Sequence, residues 1–123
     1  MLAALLVAAA CADWHGQAVG HYLGTVESQG PKAVDTWIEA APDGGLAGSY
    51  VLHEPGRDVE GRLEWLGDAG CGAGLFRWTD LYGTGIARLQ FRPAQHCFEG
   101  EWGLDRLQAG LYWRSCAQAA VTS

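Results

Sequence analysis

The chain has 123 residues, of which 49% are hydrophobic and 18% charged, a composition typical of one folded globular domain. This length excludes the larger α/β architectures, a Rossmann pair or a (β/α)8 barrel. Fourteen acidic and eight basic side chains give a formal net charge of −6 with no basic run, so neither nucleic acid nor an anionic membrane surface is expected as a partner.

The first twelve residues, Met1 to Ala12, form an apolar run of signal-peptide length, well short of the ~20 residues that a transmembrane helix needs. The small residues of Ala10-Cys11-Ala12 fit a cleavage site. They predict an exported protein, periplasmic or secreted, with a single mature domain over residues 13–123. A lipoprotein signal is the second interpretation, with Cys11 as the lipid anchor, although Ala8 stands where such signals usually have leucine. No basic residue precedes the run, so a short core helix is the third.

Eight short segments rich in β-branched and aromatic residues follow, separated by turns that contain Gly, Asp, Pro or His. They predict strands at His21–Ser28, Ala33–Ala40, Leu46–Leu52, Val59–Leu66, Gly74–Asp80, Ile86–Arg92, Cys97–Gly103 and Leu111–Ala117. Eight strands with short connections predict an all-β, antiparallel up-and-down meander that closes into a barrel, because closure removes the bare sheet edges. A two-sheet sandwich has the same strand count and is the alternative.

Alternation along the strands identifies the side chains that face the interior. In Val59–Leu66, Leu63 and Trp65 alternate with charged residues, which is the pattern of a half-buried strand. Tyr50 and Trp102 occupy equivalent positions in their own strands. Tyr50, Trp65 and Trp102 are therefore the candidate ligand-binding residues, expected to line the interior together. The alternative is that the six tryptophans of the chain simply fill the barrel and plug its ends.

Three cysteines remain once Cys11 is removed or acylated. An antiparallel register that places Cys97 opposite Cys116 also places Glu99 opposite Arg114, so we predict a Cys97–Cys116 disulfide. Cys71, in a glycine-rich turn, is then expected to be unpaired. No spacing of cysteines or histidines indicates a zinc site.

The glycine and aromatic positions form a pattern over most of the mature chain. They lie in Tyr22-Leu-Gly24, Leu46-Ala-Gly48-Ser-Tyr50, Glu60-Gly61-Arg-Leu63 and Phe98-Glu-Gly100-Glu-Trp102. This pattern resembles that of small exported bacterial proteins with lipocalin-like or avidin-like eight-stranded barrels. The resemblance implies an architecture and no particular ligand, since the hydrogen-bonding set of a biotin site is missing.

No motif indicates an enzyme. The chain lacks Gly-x-Ser-x-Gly, a P-loop and His-Glu-x-x-His. Its four histidines are expected to be solvated turn residues, and the alternative is that two or three of them meet at one rim of the barrel. We therefore expect a non-enzymatic binding module without cofactor or metal. Its acidic surface suggests that it binds or inhibits a basic protein, such as a lysozyme or a secreted hydrolase. The alternative is a carrier of a small apolar ligand inside the barrel.

Overall fold

The computed structural model describes residues 14–118 and shows a short helix followed by eight antiparallel strands. Helix α1 is Trp14–Ala18, and the strands are β1 (Gly20–Glu27), β2 (Pro31–Ala40), β3 (Leu46–Glu54), β4 (Arg57–Asp68), β5 (Ala73–Asp80), β6 (Gly83–Arg92), β7 (Cys97–Gly103) and β8 (Tyr112–Ala117). A 3-10 turn at Pro93–Gln95 lies between β6 and β7. Each strand pairs with its sequence neighbours and β1 pairs with β8, so the sheet closes into an up-and-down barrel. The predicted barrel is confirmed, and the two-sheet sandwich is excluded.

The predicted strands are all present and differ from the structure only at their ends. The largest shift of a single strand end is at β6, which begins at Gly83 rather than at Ile86. Asp80 pairs with Gly83 across a two-residue connection, so the hairpin closes earlier than the glycine-rich sequence indicates. The β3–β4 connection is equally short, and Gly56 adopts there a left-handed φ of 82° that glycine tolerates without strain.

The alternation of the strands produces one core inside the barrel. In β4, Val59, Gly61 and Leu63 are buried, whereas the charged residues between them are exposed. Buried side chains from all eight strands belong to the same hydrophobic cluster. Burying one side chain of this kind stabilises the fold by roughly 1.5–3 kcal/mol, so the cluster is the principal source of stability.

Helix α1 plugs one end of the barrel. Trp14 is 5% exposed and stacks on Phe91, with the ring centroids 5.5 Å apart. The Tyr22 hydroxyl donates a hydrogen bond of 2.6 Å to the carbonyl of Ala18 and so fixes the end of the helix to β1. The sequence predicts no element here, because five residues are too few to show a helical period.

The β7–β8 hairpin has the predicted register. Cys97 pairs with Cys116, Glu99 with Arg114 and Glu101 with Tyr112. The Cys97–Cys116 disulfide, here called the β7–β8 disulfide, is present. The predicted Glu99–Arg114 pair is present in the backbone register, but the side chains have other partners. Glu99 forms its ion pair with Arg92 at 2.8 Å, and Arg114 lies over the Tyr112 ring.

The prediction that Cys71 is unpaired is wrong. Cys71 is disulfide-bonded, and residues 14–118 contain no free cysteine. The prediction assumed that the three cysteines of the mature chain form one pair and leave one cysteine over.

The predictions for the N-terminus, a signal over residues 1–12 and a lipid anchor at Cys11, also lie outside the described residues. Within residues 14–118, no helix is both long enough and apolar enough to cross a membrane.

Candidate functional site

The two ends of the barrel are built differently. One end, the closed end, carries α1 and the connections 41–45, 69–72 and 93–96. The opposite end, the open end, carries the connections 28–30, 55–56, 81–82 and 104–111. In the part of the chain that the structure describes, the open-end connections include no helix.

A cavity of about 370 Å³ occupies the open end. Three indole rings, those of Trp78, Trp102 and Trp113, contribute to its wall, and we call them the cavity tryptophans. The remaining lining residues are aliphatic, tyrosine or polar: Val26, Ser28, Gln29, Lys32, Tyr50, Leu52, Asp80, Tyr82, Leu104, Gln108 and Leu111. The β7–β8 connection covers part of the cavity, since Leu104, Gln108 and Leu111 line it. The backbone N–H of Gln108 donates a hydrogen bond of 3.2 Å to the Trp102 carbonyl.

A glycine on β4 makes room for a tyrosine ring that lies across this strand on the inside of the barrel. Tyr50 on β3 lies opposite Gly61 on β4, and a Cβ on Gly61 would come within 2.1 Å of Tyr50 Cζ. The ring therefore passes over Gly61 and reaches β5, where its hydroxyl donates a hydrogen bond of 2.7 Å to Asp80 Oδ2. Burial, the hydrogen bond to Asp80 and the charge of Asp80 together raise the pKa of Tyr50 far above its usual range, so this hydroxyl stays a donor.

The cavity tryptophans are fixed by their own N–H groups. Trp78 donates to the Gly103 carbonyl at 3.0 Å, Trp102 to the Glu27 carbonyl at 3.0 Å, and Trp113 to Thr36 Oγ1 at 3.2 Å. With these donors satisfied by the protein, the rings offer the cavity only their apolar faces and edges. Fixed aromatic walls favour apolar or aromatic ligands and lower the cost of ordering the site.

A hydrogen-bonded network of charged groups lies at the rim. The Glu54 side chain is 8% exposed and accepts from Lys32 Nζ at 2.7 Å, from the Tyr82 hydroxyl and from Arg57 Nε at 3.2 Å. The hydrogen bonds from Lys32 and then Tyr82 lower the pKa of Glu54 to about 2. Arg57 Nη2 also donates to the Tyr82 hydroxyl at 2.8 Å, which holds the Tyr82 ring at the mouth of the cavity.

The structure brings together two of the three predicted ligand residues. Tyr50 and Trp102 line the cavity. Trp65 lies instead at the closed end, where its ring contacts those of Trp14, His15 and Phe76 at centroid distances of 6.2, 5.0 and 5.3 Å. It faces inward as predicted, but toward the plug rather than the cavity.

Sequence reasoning missed Trp78, Trp113, Asp80 and Tyr82 as cavity residues. Alternation tells which face a side chain occupies and nothing about its height along the barrel axis. The missing signal was strand direction. In a meander each turn alternates between the two ends, so residues next to Pro55-Gly56 and Leu81-Tyr82 share an end, and Trp65, beside the 69–72 turn, lies at the other.

A second polar cluster lies on the outer surface of the barrel. His21 on β1 and His53 on β3 donate to the two carboxylate oxygens of Asp35 on β2, at 2.6 and 2.5 Å. His53 Nδ1 also contacts Asp58 Oδ1 at 2.9 Å, and the hydrogen bonds that His53 donates to Asp35 and then Asp58 raise its pKa. Burial opposes ionisation of Asp35, but the hydrogen bonds from the two histidines outweigh it and lower the pKa.

The expectation that the histidines are turn residues is thus wrong for His21 and His53, which lie within strands. The sequence pattern could not show that three strands carry complementary side chains at one height. In residues 14–118 no group of three or more His, Cys, Asp or Glu side chains is arranged to hold a metal ion.

A comparison of the chain with models of protein families, with curated proteins and with solved structures finds no match.

Proposed function

We propose that this chain is a non-enzymatic binding protein that takes a small, largely apolar ligand into the open-end cavity. The observation that carries the proposal is the cavity itself, a space of about 370 Å³ walled by the cavity tryptophans. This volume lies within the range of about 300–1,000 Å³ of small-molecule sites, and such sites are mostly aromatic and aliphatic with a few polar groups. An eight-stranded barrel whose other half is filled by side chains leaves room for one such ligand.

We propose that the chain shares its architecture and its mode of binding with lipocalin-like and avidin-like proteins. Such eight-stranded barrels hold one small ligand. The arrangement here also favours pre-organised binding, because the walls are strands and the indole N–H groups are already bonded to protein.

A cavity-filling substitution tests the proposal. Leu52→Trp adds volume to a side chain that lines the cavity, and we expect it to abolish the binding of 2-phenylethanol measured by calorimetry. Leu66→Trp is the matched control, since Leu66 is 40% exposed and does not line the cavity. Equal binding by both variants, with both folded by circular dichroism, would show that the cavity is not the ligand site.

A second candidate function is the binding or inhibition of a basic protein such as a lysozyme. Two observations favour it: the net charge of −6 and the exposed apolar side chains of Leu81, Tyr82 and Leu104 at the open end. Attraction between opposite net charges accelerates association and weakens with salt, because the Debye length falls. Titration of the barrel with lysozyme at low and high ionic strength tests it. Salt-sensitive binding would support this function, and no binding at low ionic strength would remove it.

We further propose that the protein works in an oxidising compartment, as an exported periplasmic or secreted protein. The β7–β8 disulfide supports this, since such bonds persist mainly outside the reducing cytosol. Mass spectrometry of the protein recovered from cell fractions tests both the location and the N-terminus. A mature start at Asp13, or an acylated Cys11, would identify which signal is processed, and an intact chain with reduced thiols in the cytosol would refute export.

A further inference from the structure

We propose that the ligand of the open-end cavity carries a protonated amine on an aromatic or apolar body, and that the Asp80 carboxylate binds this amine. The inference rests on the proposed function, since it names the chemical class of the ligand for the same cavity. It is carried by the position of an acidic side chain among aromatic walls and by the bonds which that side chain makes.

Asp80 has two hydrogen bonds and room for more. Its Oδ2 accepts from the Tyr50 hydroxyl at 2.7 Å, and its Oδ1 accepts from the backbone N–H of Tyr82 at 2.8 Å. A carboxylate offers about four acceptor positions, so roughly two remain for a ligand. Both existing partners are neutral donors. Within residues 14–118 no Lys, Arg or His nitrogen lies within 4.0 Å of the Asp80 carboxylate, so its charge has no ion-pair partner there.

The cationic side chains of the rim form ion pairs with a carboxylate other than that of Asp80. Lys32 and Arg57 both bond to Glu54, whose side chain is 8% exposed. Arg57 is held further by the Tyr82 hydroxyl. An anionic ligand would have to compete with Glu54 for these cations, whereas a cationic ligand meets Asp80 without breaking an existing ion pair. The rim therefore favours a cation over an anion.

The aromatic walls strengthen this preference. Trp78 and Asp80 lie two residues apart on β5, so their side chains share one face of the strand at a spacing of about 7 Å. Trp78 meets Trp102 edge to face, with the centroids 5.5 Å apart, and the Tyr50 ring meets Trp113 at 4.9 Å. The faces of such rings attract a cation as well as an aromatic body. A ligand whose ring lies among the cavity tryptophans would thus place an amine on a short chain next to Asp80.

Three probes of nearly equal size and different charge test the inference: 2-phenylethylamine (cation), 2-phenylethanol (neutral) and 3-phenylpropionate (anion). Binding is measured near neutral pH by quenching of tryptophan fluorescence, since the phenyl probes do not emit where tryptophan does. Each is titrated into the full chain, into Asp80→Asn and into Asp105→Asn. Asp80→Asn removes the charge but leaves an amide oxygen that can accept from Tyr50. Asp105→Asn removes the same charge from the open-end connection 104–111, where Asp105 is exposed and does not line the cavity.

We expect the amine to bind about ten-fold or more tightly than the alcohol, as befits one charge-assisted hydrogen bond, and the propionate to bind most weakly. Asp80→Asn should remove the difference between amine and alcohol, and Asp105→Asn should keep it. If the unmutated chain binds the alcohol or the propionate as tightly as the amine, the inference is wrong while the cavity remains a binding site. If none of the three probes binds, the inference and the proposed function both fail. The comparison among probes on the unmutated chain stands even if Asp80→Asn does not fold.

Discussion

Two tryptophan truncations at opposite ends of the barrel should separate stability from binding. Trp65 packs against three aromatic rings at the closed end, whereas Trp102 lines the cavity at the open end. Both side chains are partly buried against the same core, so their burial alone does not distinguish them. The structure predicts that Trp65→Ala lowers stability without changing affinity, and that Trp102→Ala weakens ligand binding.

The magnitude for Trp65 follows from its contacts. Truncation of a buried tryptophan costs about 3–5 kcal/mol, and the partial exposure of Trp65 places it at the lower end, about 3 kcal/mol. Its three aromatic contacts, at roughly 0.5–1.5 kcal/mol each, are of the size needed to account for that loss. A domain with the usual stability of about 5–15 kcal/mol survives this loss as a folded protein.

Urea unfolding and a 2-phenylethanol titration of both variants provide the assay. For Trp65→Ala we expect a lower denaturation midpoint at an unchanged m value, and a Kd within about two-fold of the unmutated chain, since distant sites act almost additively. For Trp102→Ala the Kd should rise by about five-fold or more, because one aromatic wall is lost. Equal loss of affinity in Trp65→Ala and Trp102→Ala would refute the assignment of Trp65 to the closed end and Trp102 to the cavity.

Three further outcomes follow from the packing, the outer surface and the hairpin. Gly61→Ala should destabilise by about 1–3 kcal/mol in urea unfolding, since the new methyl overlaps the Tyr50 ring, and a loss under about 0.5 kcal/mol would show that the ring does not pass over Gly61. Proton NMR should give His53 a pKa above its ordinary value of about 6.5, reduced by Asp35→Asn. Because the folded state holds that proton more tightly, the stabilisation from His53 is fully present below its unfolded-state pKa while Asp35 is still ionised, and it is lost as pH rises through the folded-state pKa, so stability independent of His53 over this range contradicts the assigned hydrogen bonds. Serine at both positions of the β7–β8 disulfide should lower stability by roughly 3 kcal/mol, as expected for a loop closed across a separation of 19 residues, and an unchanged melting temperature would contradict that role.

The sequence predicted best those features that depend on neighbouring strands. The register of β7 and β8 followed from cysteines and charges that alternate within one hairpin, and the structure has the same pairing. The eight strands followed from alternation and from turn residues at short spacing. Their ends were less accurate, since the glycines after Tyr82 indicate a loop but pair as the start of β6.

The cavity was only partly predictable because it depends on height along the barrel and on contacts across strands. Tyr50 and Asp80 are separated by 30 residues and by the whole of β4, and their hydrogen bond exists only because Gly61 lies between them. Trp65 has the same alternation as Trp102 but lies beside α1, an element too short to predict. The sequence thus identifies inward side chains, while the end of the barrel at which each lies needs the strand directions.

The most direct test of ligand binding in the open-end cavity is a titration of the 15N-labelled protein with 2-phenylethanol, followed through its tryptophan indole N–H signals in NMR. Substitution of each tryptophan by phenylalanine assigns the signals. The signals of the cavity tryptophans should shift in a saturable manner with one common Kd, while those of Trp14 and Trp65 at the closed end, and of Trp37 on the outer surface, should not move. Saturable shifts confined to Trp14, Trp37 or Trp65, or no shift of any cavity tryptophan, would contradict the account.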